Sequence, residues 1–555
     1  MAEKTKKFDK KYVIYIALVL LILVGAYFRF YHADYPAVGY HNWKETHYLT
    51  EARNFNQDGF FANGFFAPEW DYPALNTNQA GLHGDTFPMI SVLTAVSFKI
   101  FGETLLAARM IGILCGLAAI YLMFQICKKM FKRDDIAIVA AALTAISPLF
   151  VFFSRNVQLV NPALLFMLLS WYFFLDWRES LALKKGILTA LFLMLSLLTK
   201  YSFFLIAIPM LATIPKKVWK EVGGAAKKFN LKKLKPYLIY GALMLPVPAW
   251  YAYAKVLEAK SGMTTVSSSI FTADMAGILS SSWWTAVKGY VADNYTMIGF
   301  IIAIVGLLLV YFMKKDSFGN KFTLWYAAGS VPWILMMVGQ LGGHSYHQYP
   351  IAPLIIILMS YALVAVVTNI AGMVGKGVTR DYAKYGLLLL AVILLLIPSV
   401  SAASRQFDVQ FLGLDIAGEY IKDHSSPEDR IIFSRGQSFG VLWHADRKGY
   451  GIPLPEADQI MAGEAQGVKW ILLYQWGLGT FQNPGSAGYL QENYAPVQMG
   501  FMSNGEQTQL VYILLKKGGS FTQESLQAFP NEHGVDTKIY EFSKGYIEFA
   551  YSSAD

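Results

Sequence analysis

The chain has 555 residues, of which 55% are hydrophobic and only 15% charged, with a net charge of +9 and a mean hydropathy of +0.37. A soluble globular chain carries about 45–50% apolar and about 25% charged residues. The composition therefore excludes a soluble enzyme, a disordered chain and a fibrous repeat, and leaves a multi-spanning membrane protein. The basic balance calls for no nucleic acid, because lysine and arginine gathered in cytoplasmic loops account for it.

A membrane-crossing helix needs about 20 mostly apolar residues. In chain order, eleven spans are predicted: 12–29, 106–127, 135–153, 160–176, 185–199, 201–215, 236–256, 294–313, 321–340, 348–370 and 383–402. The first is too long and lacks the small-residue site of a cleavable signal peptide, so it is read as a span. The apolar stretch 87–101 is short and ends near Lys99, which predicts a helix lying at the bilayer interface. Charge by side tests the count. With Lys4, Lys6, Lys7, Lys10 and Lys11 placed in the cytoplasm, the connections 128–134, 177–185, 216–235 (eight lysines), 314–320 (Lys314, Lys315) and 371–382 fall inside, and each is basic. The connections 30–105, 154–159, near 200, 257–293 and 341–347 fall outside and are poor in lysine and arginine. A twelfth span at 87–101 would put the eight-lysine connection outside.

After residue 402 the chain turns polar, with Gly and Pro turns. Short strands are predicted at Arg430–Phe433, Trp470–Tyr474 and Leu510–Leu515, and a helix at Asp415–Lys422. The expected architecture is mainly α: a polytopic transmembrane helical bundle with interfacial helices over 1–403, including a large first external loop 30–105, and an extracytoplasmic soluble α/β domain over 404–555. The odd span count sets that side. The location is the cell (inner or plasma) membrane, with the N-terminus cytoplasmic. Cys115 and Cys127 sit in one apolar stretch and read as small hydrophobes.

The residues able to do chemistry gather on the outer face. The first loop holds Tyr40-His41-Asn42-Trp43-Lys44-Glu45-Thr46-His47-Tyr48, then Glu51-Ala52-Arg53-Asn54, Glu69-Trp70-Asp71-Tyr72 and His83-Gly84-Asp85-Thr86-Phe87-Pro88. Spans end on the same face with Ser154-Arg155-Asn156, Thr199-Lys200-Tyr201 and His344-Ser345-Tyr346-His347. Carboxylates and cations at the lipid–water boundary suit an amphiphilic anion such as a lipid phosphate. Lys200 and Arg155 bind phosphate charge, a carboxylate takes a proton from an attacking hydroxyl, and a divalent metal (Mg, Mn or Zn) stabilises the leaving group. Plainer readings stand beside these: solvated loop carboxylates, Asp85 as the N-cap of the helix near Phe87, a snorkelling Lys200, and Trp43, Trp283 and Trp284 as interface anchors. Asn294-Tyr295-Thr296 matches a glycosylation acceptor.

Over residues 10–400 the layout resembles the C-type superfamily of membrane glycosyltransferases, and within it the protein O-mannosyltransferase and lipid A aminoarabinose transferase branch. The likeness rests on an ordered set: Ala52-Arg53-Asn54, Phe87-Pro88, Phe98-Lys99-Ile100-Phe101-Gly102 with Ala107-Ala108-Arg109, Ser147-Pro148-Leu149-Phe150 with Phe153-Ser154-Arg155, Leu198-Thr199-Lys200, and His344…Tyr346…Pro350…Pro353. It implies a polyprenyl-phosphate-linked sugar donor, transfer on the outer face with inversion, and a catalytic carboxylate in the first external loop. The acceptor is a lipid, a glycan or a protein. Where the branch often has Asp-Glu, this chain has Lys44-Glu45. A variant with His-x-Trp-Arg-Gln-Thr is closer to His41-Asn42-Trp43-Lys44-Glu45-Thr46, and its acid is a later Asp, which matches Asp71. The catalytic candidates are thus Asp71 and Glu45, with Asp85 third. Lys200, Arg155, Lys44, His41 and Tyr346 are expected to bind lipid phosphate and sugar. By the resemblance, Asp85 and His344 hold a metal. Two other readings remain: a lipid-linked sugar transporter or flippase, disfavoured because the span centres are almost free of charge, and a transferase-like scaffold without activity, since Lys44 replaces an acid.

Overall fold

The computed structural model describes residues 10–75, 81–261, 275–313, 317–504 and 507–554. Lys4, Lys6, Lys7, Lys314 and Lys315 of the charge argument lie outside the described residues. The chain is mainly helical, with a sheet near its C-terminus. Helices run through all eleven predicted spans, several of them interrupted. Among the described residues, five helices are long and apolar enough to cross a membrane alone: Tyr12–Phe30, Leu105–Phe131, Val160–Ser180, Ser345–Val374 and Gly377–Phe407. The number reaches eight if each of three bent helix pairs is one crossing. Wide apolar surfaces on these helices, including Ile16, Val19, Leu20 and Leu23 on the first and Leu389, Ile393, Leu394 and Ile397 on the last, stay uncovered by protein. An apolar surface of that extent is suited to lipid.

The chain forms two compact units. The first comprises Met1–Ala33, Arg109–Tyr253 and Val266–Ala403. Its helices Asp134–Ile146 and Met297–Phe312 both pack on Ala352–Val374. Gly306 permits the second contact: a Cβ there would lie 2.0 Å from the Leu358 carbonyl oxygen. Small residues at such crossings let two backbones approach closely.

Two breaks in this unit have identifiable causes. Helix Asp134–Ile146 meets Pro148–Arg155 at 51°, because Pro148 forces Ser147 into extended backbone (φ −60°, ψ 126°). The break orphans carbonyls of the first helix. Arg29, fully buried, supplies the missing donors: Nη1 donates to Ala145 O at 3.0 Å and Nη2 to Thr144 O at 3.1 Å. Helices Ser281–Tyr295 and Met297–Phe312 meet at 90°, pivoting on Thr296 at φ +61°, whose hydroxyl accepts from Gly299 N at 3.1 Å. The Asn294 amide beside this pivot is buried and donates to Ser345 O at 3.0 Å and Gln348 Oε1 at 2.9 Å. It is a packing residue, and the glycosylation reading of Asn294 fails because the amide nitrogen is enclosed.

The second unit comprises Asp34–Ala108, Ala254–Thr265 and Ser404–Asp555. The strands are β1 Arg430–Phe433, β2 Gly449–Gly451, β3 Val468–Tyr474, β4 Tyr494–Asn504, β5 Gln507–Lys517, β6 Asp536–Phe542 and β7 Gly545–Ser553. They form one seven-stranded sheet in the order β2-β1-β3-β5-β4-β7-β6. β1 runs parallel to β2 and β3, and the remaining pairs are antiparallel. The period-two alternation of β3 feeds two cores: Trp470, Leu472 and Tyr474 enter one, Ile471 and Leu473 the other. Val38 from the first external segment joins the former, with Tyr35 and Tyr72 packed on it. That segment contains a helix, Asn42–Asp58, where the sequence was read only as loop. This helix packs on Met89–Phe101 and on Gly440–Ala445.

Adding a methyl at Gly306 should force apart two packed helices. Gly306→Ala is expected to destabilise the detergent-solubilised protein by about 1–3 kcal/mol, seen as a lower thermal transition. Gly289→Ala, where no atom lies within 4 Å of the added Cβ, should leave the transition unchanged or slightly higher.

Candidate functional site

Helix Asn42–Asp58 is polar in sequence, yet Asn42, Glu45, Thr46, His47, Thr50, Glu51, Arg53 and Asn54 are all buried. Buried polar groups cost stability unless each finds a partner. The helix begins at His41, a non-glycine residue at φ +62°, a conformation costing about 1–2 kcal/mol.

Arg53 of the Ala-Arg-Asn motif is fully engaged inside this unit. Its Nε donates to Glu103 Oε1 at 2.7 Å, Nη1 pairs with Asp446 Oδ1 at 2.7 Å, and Nη2 donates to Trp443 O at 3.0 Å. The guanidinium also lies 4.0 Å from the Trp443 ring centre. Asn54, the next residue, donates from Nδ2 to Glu69 O at 2.7 Å and to Asp71 Oδ1 at 2.8 Å. The motif thus fixes the helix with one residue and aims the Asp71 carboxylate with the other. Burial raises the Asp71 pKa to about 6, against the Asn54 hydrogen bond and the charges of Arg53 and Lys448. A carboxyl so poised exchanges its proton near neutrality.

One turn before Arg53, His47 and Glu51 share the same helix face, four residues apart. His47 Nε2 lies 2.9 Å from Glu51 Oε1. An isolated antiparallel bridge, Glu69 to Leu82, sets the neighbouring residue His83 beside them. His83 Nδ1 is 2.7 Å from Glu51 Oε1 and 3.1 Å from His47 Nε2. Ser91 of helix Met89–Phe101 donates to Glu51 Oε2 at 2.5 Å, and the Tyr72 hydroxyl is 2.5 Å from His47 Nδ1. Burial pushes His47 down to about 4. Burial also opposes ionisation of Glu51, but the two imidazoles and their hydrogen bonds hold it well below the usual carboxylate range. Among the described residues, one group of three His, Cys, Asp or Glu side chains brings possible ligand atoms within 4.8 Å of one another: His47, Glu51 and His83.

The other predicted residues of this unit fall around the same helix. Glu45 is buried in the first turn, not solvated. The Lys44 ammonium lies 5.0 Å from the Trp43 ring centre and 5.4 Å from that of Tyr48. Burial lowers its pKa, while Asp85 and Glu51 act in the opposite sense. His41, buried, sits ring to ring with Tyr40 at 3.9 Å. Asp85 Oδ2 is 3.9 Å from His83 Nε2. It is not a helix cap: the helix begins at Met89 with Pro88 in the cap position.

In the first unit, Arg155, Lys200 and Tyr346 are buried, each at 4–6% exposure. Arg155 Nη1 donates to His32 O at 3.1 Å. Lys200, in extended backbone after helix Leu183–Thr199, places its ammonium 5.4 Å from the Tyr346 ring centre. Tyr346 in turn lies 5.9 Å from Phe153, which packs 5.0 Å from Phe152, and the Arg155 guanidinium lies 5.9 Å from the Phe152 ring centre. His344 stacks on Tyr346 at 5.4 Å, and His347 is tilted against it at 4.5 Å. The predicted phosphate cations therefore share one aromatic cluster. Trp283 is an internal packing residue, its Nε1 donating to Val338 O at 2.8 Å.

Sequence reasoning missed Glu51 and His83 as partners of His47. The spacing His47-x-x-x-Glu51 was available, but it carries meaning only on a helix.

Residues 84–251 match the family described as dolichyl-phosphate-mannose-protein mannosyltransferase. No curated protein matches the chain. Among solved structures, the oligosaccharyltransferase of Archaeoglobus fulgidus in its apo form is similar at TM-score 0.56 and 14% identity, covering 96% of this chain and 80% of that one. ArnT of Cupriavidus metallidurans in the apo state is similar at TM-score 0.53 and 13% identity, covering 91% and 98%. The same protein bound to undecaprenyl phosphate gives TM-score 0.51 and 12% identity, covering 98% of each chain. The fold is that of the C-type membrane glycosyltransferases, as the ordered motifs implied. With its apolar helices, it makes this chain a multi-pass membrane protein.

The Asp71 carboxyl makes stability depend on pH with a definite sign. Its folded pKa lies above the ordinary 3.8, at about 6, so the folded state binds the proton more tightly and stability is lost as pH rises from about 4 to about 6. The thermal transition of the wild type, relative to Asp71→Asn, should rise on acidification through that window. The expected gain is roughly 2–3 kcal/mol, and a pH-independent difference counts against a raised pKa.

Proposed function

We propose that this protein is an inverting glycosyltransferase that moves a sugar from a polyprenyl-phosphate-linked donor to a lipid, glycan or protein acceptor on the outer face of the cell membrane. The observation that carries the reading is Asp71, a buried carboxylate aimed by Asn54 and held near pKa 6, in a chain with the C-type fold. As base, Asp71 takes the proton from the acceptor nucleophile as that oxygen or nitrogen attacks the anomeric carbon. The bond to the polyprenyl phosphate breaks with its electron pair on the phosphate oxygen. Glu45, buried in the first turn of the helix that carries Asn54, is the second candidate for the proton. His41 and Lys44 are the proposed binding groups for the sugar or phosphate.

Lys200 and Arg155, with Tyr346 against Lys200, are the proposed cations for a lipid phosphate. The solved structure of ArnT with undecaprenyl phosphate supports a lipid phosphate as the carrier in this fold. Eleven crossings, a cytoplasmic N-terminus and an extracytoplasmic C-terminal domain complete the proposal. The basic residues of connections 128–134, 177–185, 216–235 and 371–382 support this orientation, because such loops stay in the cytoplasm.

Purified protein supplied with synthetic polyprenyl-phosphate sugars and an acceptor extract should release free polyprenyl phosphate. Asp71→Asn should reduce that release at least a hundredfold. Lys200→Ala and Arg155→Ala should raise the donor KM about 10–100-fold, the worth of a charge-assisted hydrogen bond. No release from wild type with any common sugar sinks the proposal, and donor movement across vesicles without release points to a transporter. A tag at Lys228 should be reachable only from the cytoplasm.

A further inference from the structure

The Nε2 of His47, the Nδ1 of His83 and the Oε1 of Glu51 form a triangle with edges of 2.9, 2.7 and 3.1 Å. Protons alone satisfy such a triangle poorly. Each edge needs one hydrogen, but a neutral imidazole carries a single N–H. If both facing nitrogens are protonated toward Glu51, two N–H groups confront each other at 3.1 Å. If one is not, an edge has no hydrogen directed along it. All three residues are nine-tenths or more buried, so water does not compensate for the missing donor.

The surroundings already orient each group toward a common centre. Ser91 Oγ donates to Oε2 of Glu51 at 2.5 Å, which leaves Oε1 to face the two rings. The Tyr72 hydroxyl engages Nδ1 of His47 at 2.5 Å and leaves Nε2 to point inward. Asp85 Oδ2 faces Nε2 of His83 at 3.9 Å, on the side away from Glu51. Outer partners of this kind fix tautomer and ring orientation in metal-binding histidines.

We infer that His47, Glu51 and His83 form a site for one divalent transition-metal ion. Two imidazoles and one carboxylate favour zinc, or cobalt in its place, over magnesium or calcium, which prefer all-oxygen sets. Ligand atoms around a tetrahedral ion with bonds of about 2.0–2.1 Å lie a few tenths of an ångström farther apart than this triangle, a spread that small side-chain rotations provide. Three protein ligands is also the number typical of metal sites that keep one position for water or substrate. His47 and Glu51 come from one helix and His83 from the bridged segment, so the ion joins the segment that carries Asp71 and the Glu69–Leu82 bridge to the helix that carries Asn54. The site uses neither Asp85 nor His344 as a ligand. It does not rest on the transfer reading, because metal content is measured without turnover.

The test uses the full chain, purified in detergent with a tag free of histidine and stripped with chelator. The protein is equilibrated separately with zinc, cobalt or magnesium and freed of excess ion before elemental analysis. Wild type is expected to retain one equivalent of zinc or cobalt and none of magnesium. The cobalt form should show visible absorption of an ion with nitrogen and oxygen ligands, and zinc should raise the thermal transition. Tyr72→Phe should retain the ion with about 10–100-fold weaker affinity. Glu51→Gln and His83→Ala should lose it, whereas His344→Ala should keep it. Wild type retaining less than a tenth of an equivalent overturns the assignment without any variant. Full retention by both Glu51→Gln and His83→Ala, with unchanged cobalt absorption, overturns it as well.

Discussion

Burying a polar helix is the constraint on which the second unit is built. Asn42–Asp58 presents eight polar side chains to the protein interior. A helix of that composition gains little from apolar burial, so its place depends on specific partners. Arg53 donates to two acceptors and pairs with the Asp446 carboxylate, Asn54 donates to two, and Glu51 takes a serine and two histidines. Those partners come from Glu69–Asp71, His83, Ser91, Glu103 and Trp443–Asp446, so the helix ties distant parts of the chain into one unit. Such an arrangement gives up stability that an apolar helix would supply, and it yields a fixed set of titratable groups. Sites with that pattern are where local sequence rules break for functional reasons.

The first unit solves a different problem, that of interrupting helices inside an apolar environment. Where Pro148 ends one hydrogen-bond ladder, Arg29 supplies donors to the orphaned carbonyls. Where Thr296 turns the chain through a right angle, its own hydroxyl caps the next helix and Asn294 fastens the turn to Ser345 and Gln348. Backbone groups left unsatisfied in an apolar setting cost several kcal/mol each, and each of these two breaks carries its own polar partner. The turn at Thr296 is fastened through Asn294 to Ser345, in the segment that bears His344 and Tyr346, next to Lys200. Broken helices thus deliver cations and aromatics to one buried cluster.

Legibility of the site varied with the range of the forces involved. Asp71, Lys200 and Arg155 were visible because each is a polar residue in a context where composition makes polarity rare. The helical state of 42–58 was not visible: its polar residues follow no single apolar stripe, since the helix is buried on polar faces. Without the helix, the spacing of His47 and Glu51 had no geometric meaning, and His83 enters only through the pairing of Glu69 with Leu82. Arg53 was read as part of a family motif, and its role as a clamp on Glu103, Asp446 and Trp443 arises only from tertiary contacts.

The sequence by itself determined the membrane class, the apolar segments and strands at Arg430–Phe433, Trp470–Tyr474 and Leu510–Leu515, the last two longer in the structure, because each depends on local hydrophobic run length or period. It also carried the ordered motifs of the C-type fold. Only the tertiary structure decided that residues Asp34–Ala108 join Ser404–Asp555 in one compact unit, that Asn54 aims Asp71, and that His47, Glu51 and His83 converge. Those features depend on contacts between residues far apart in the chain, where the partner that satisfies a buried polar group is chosen by packing and not by its neighbours in sequence.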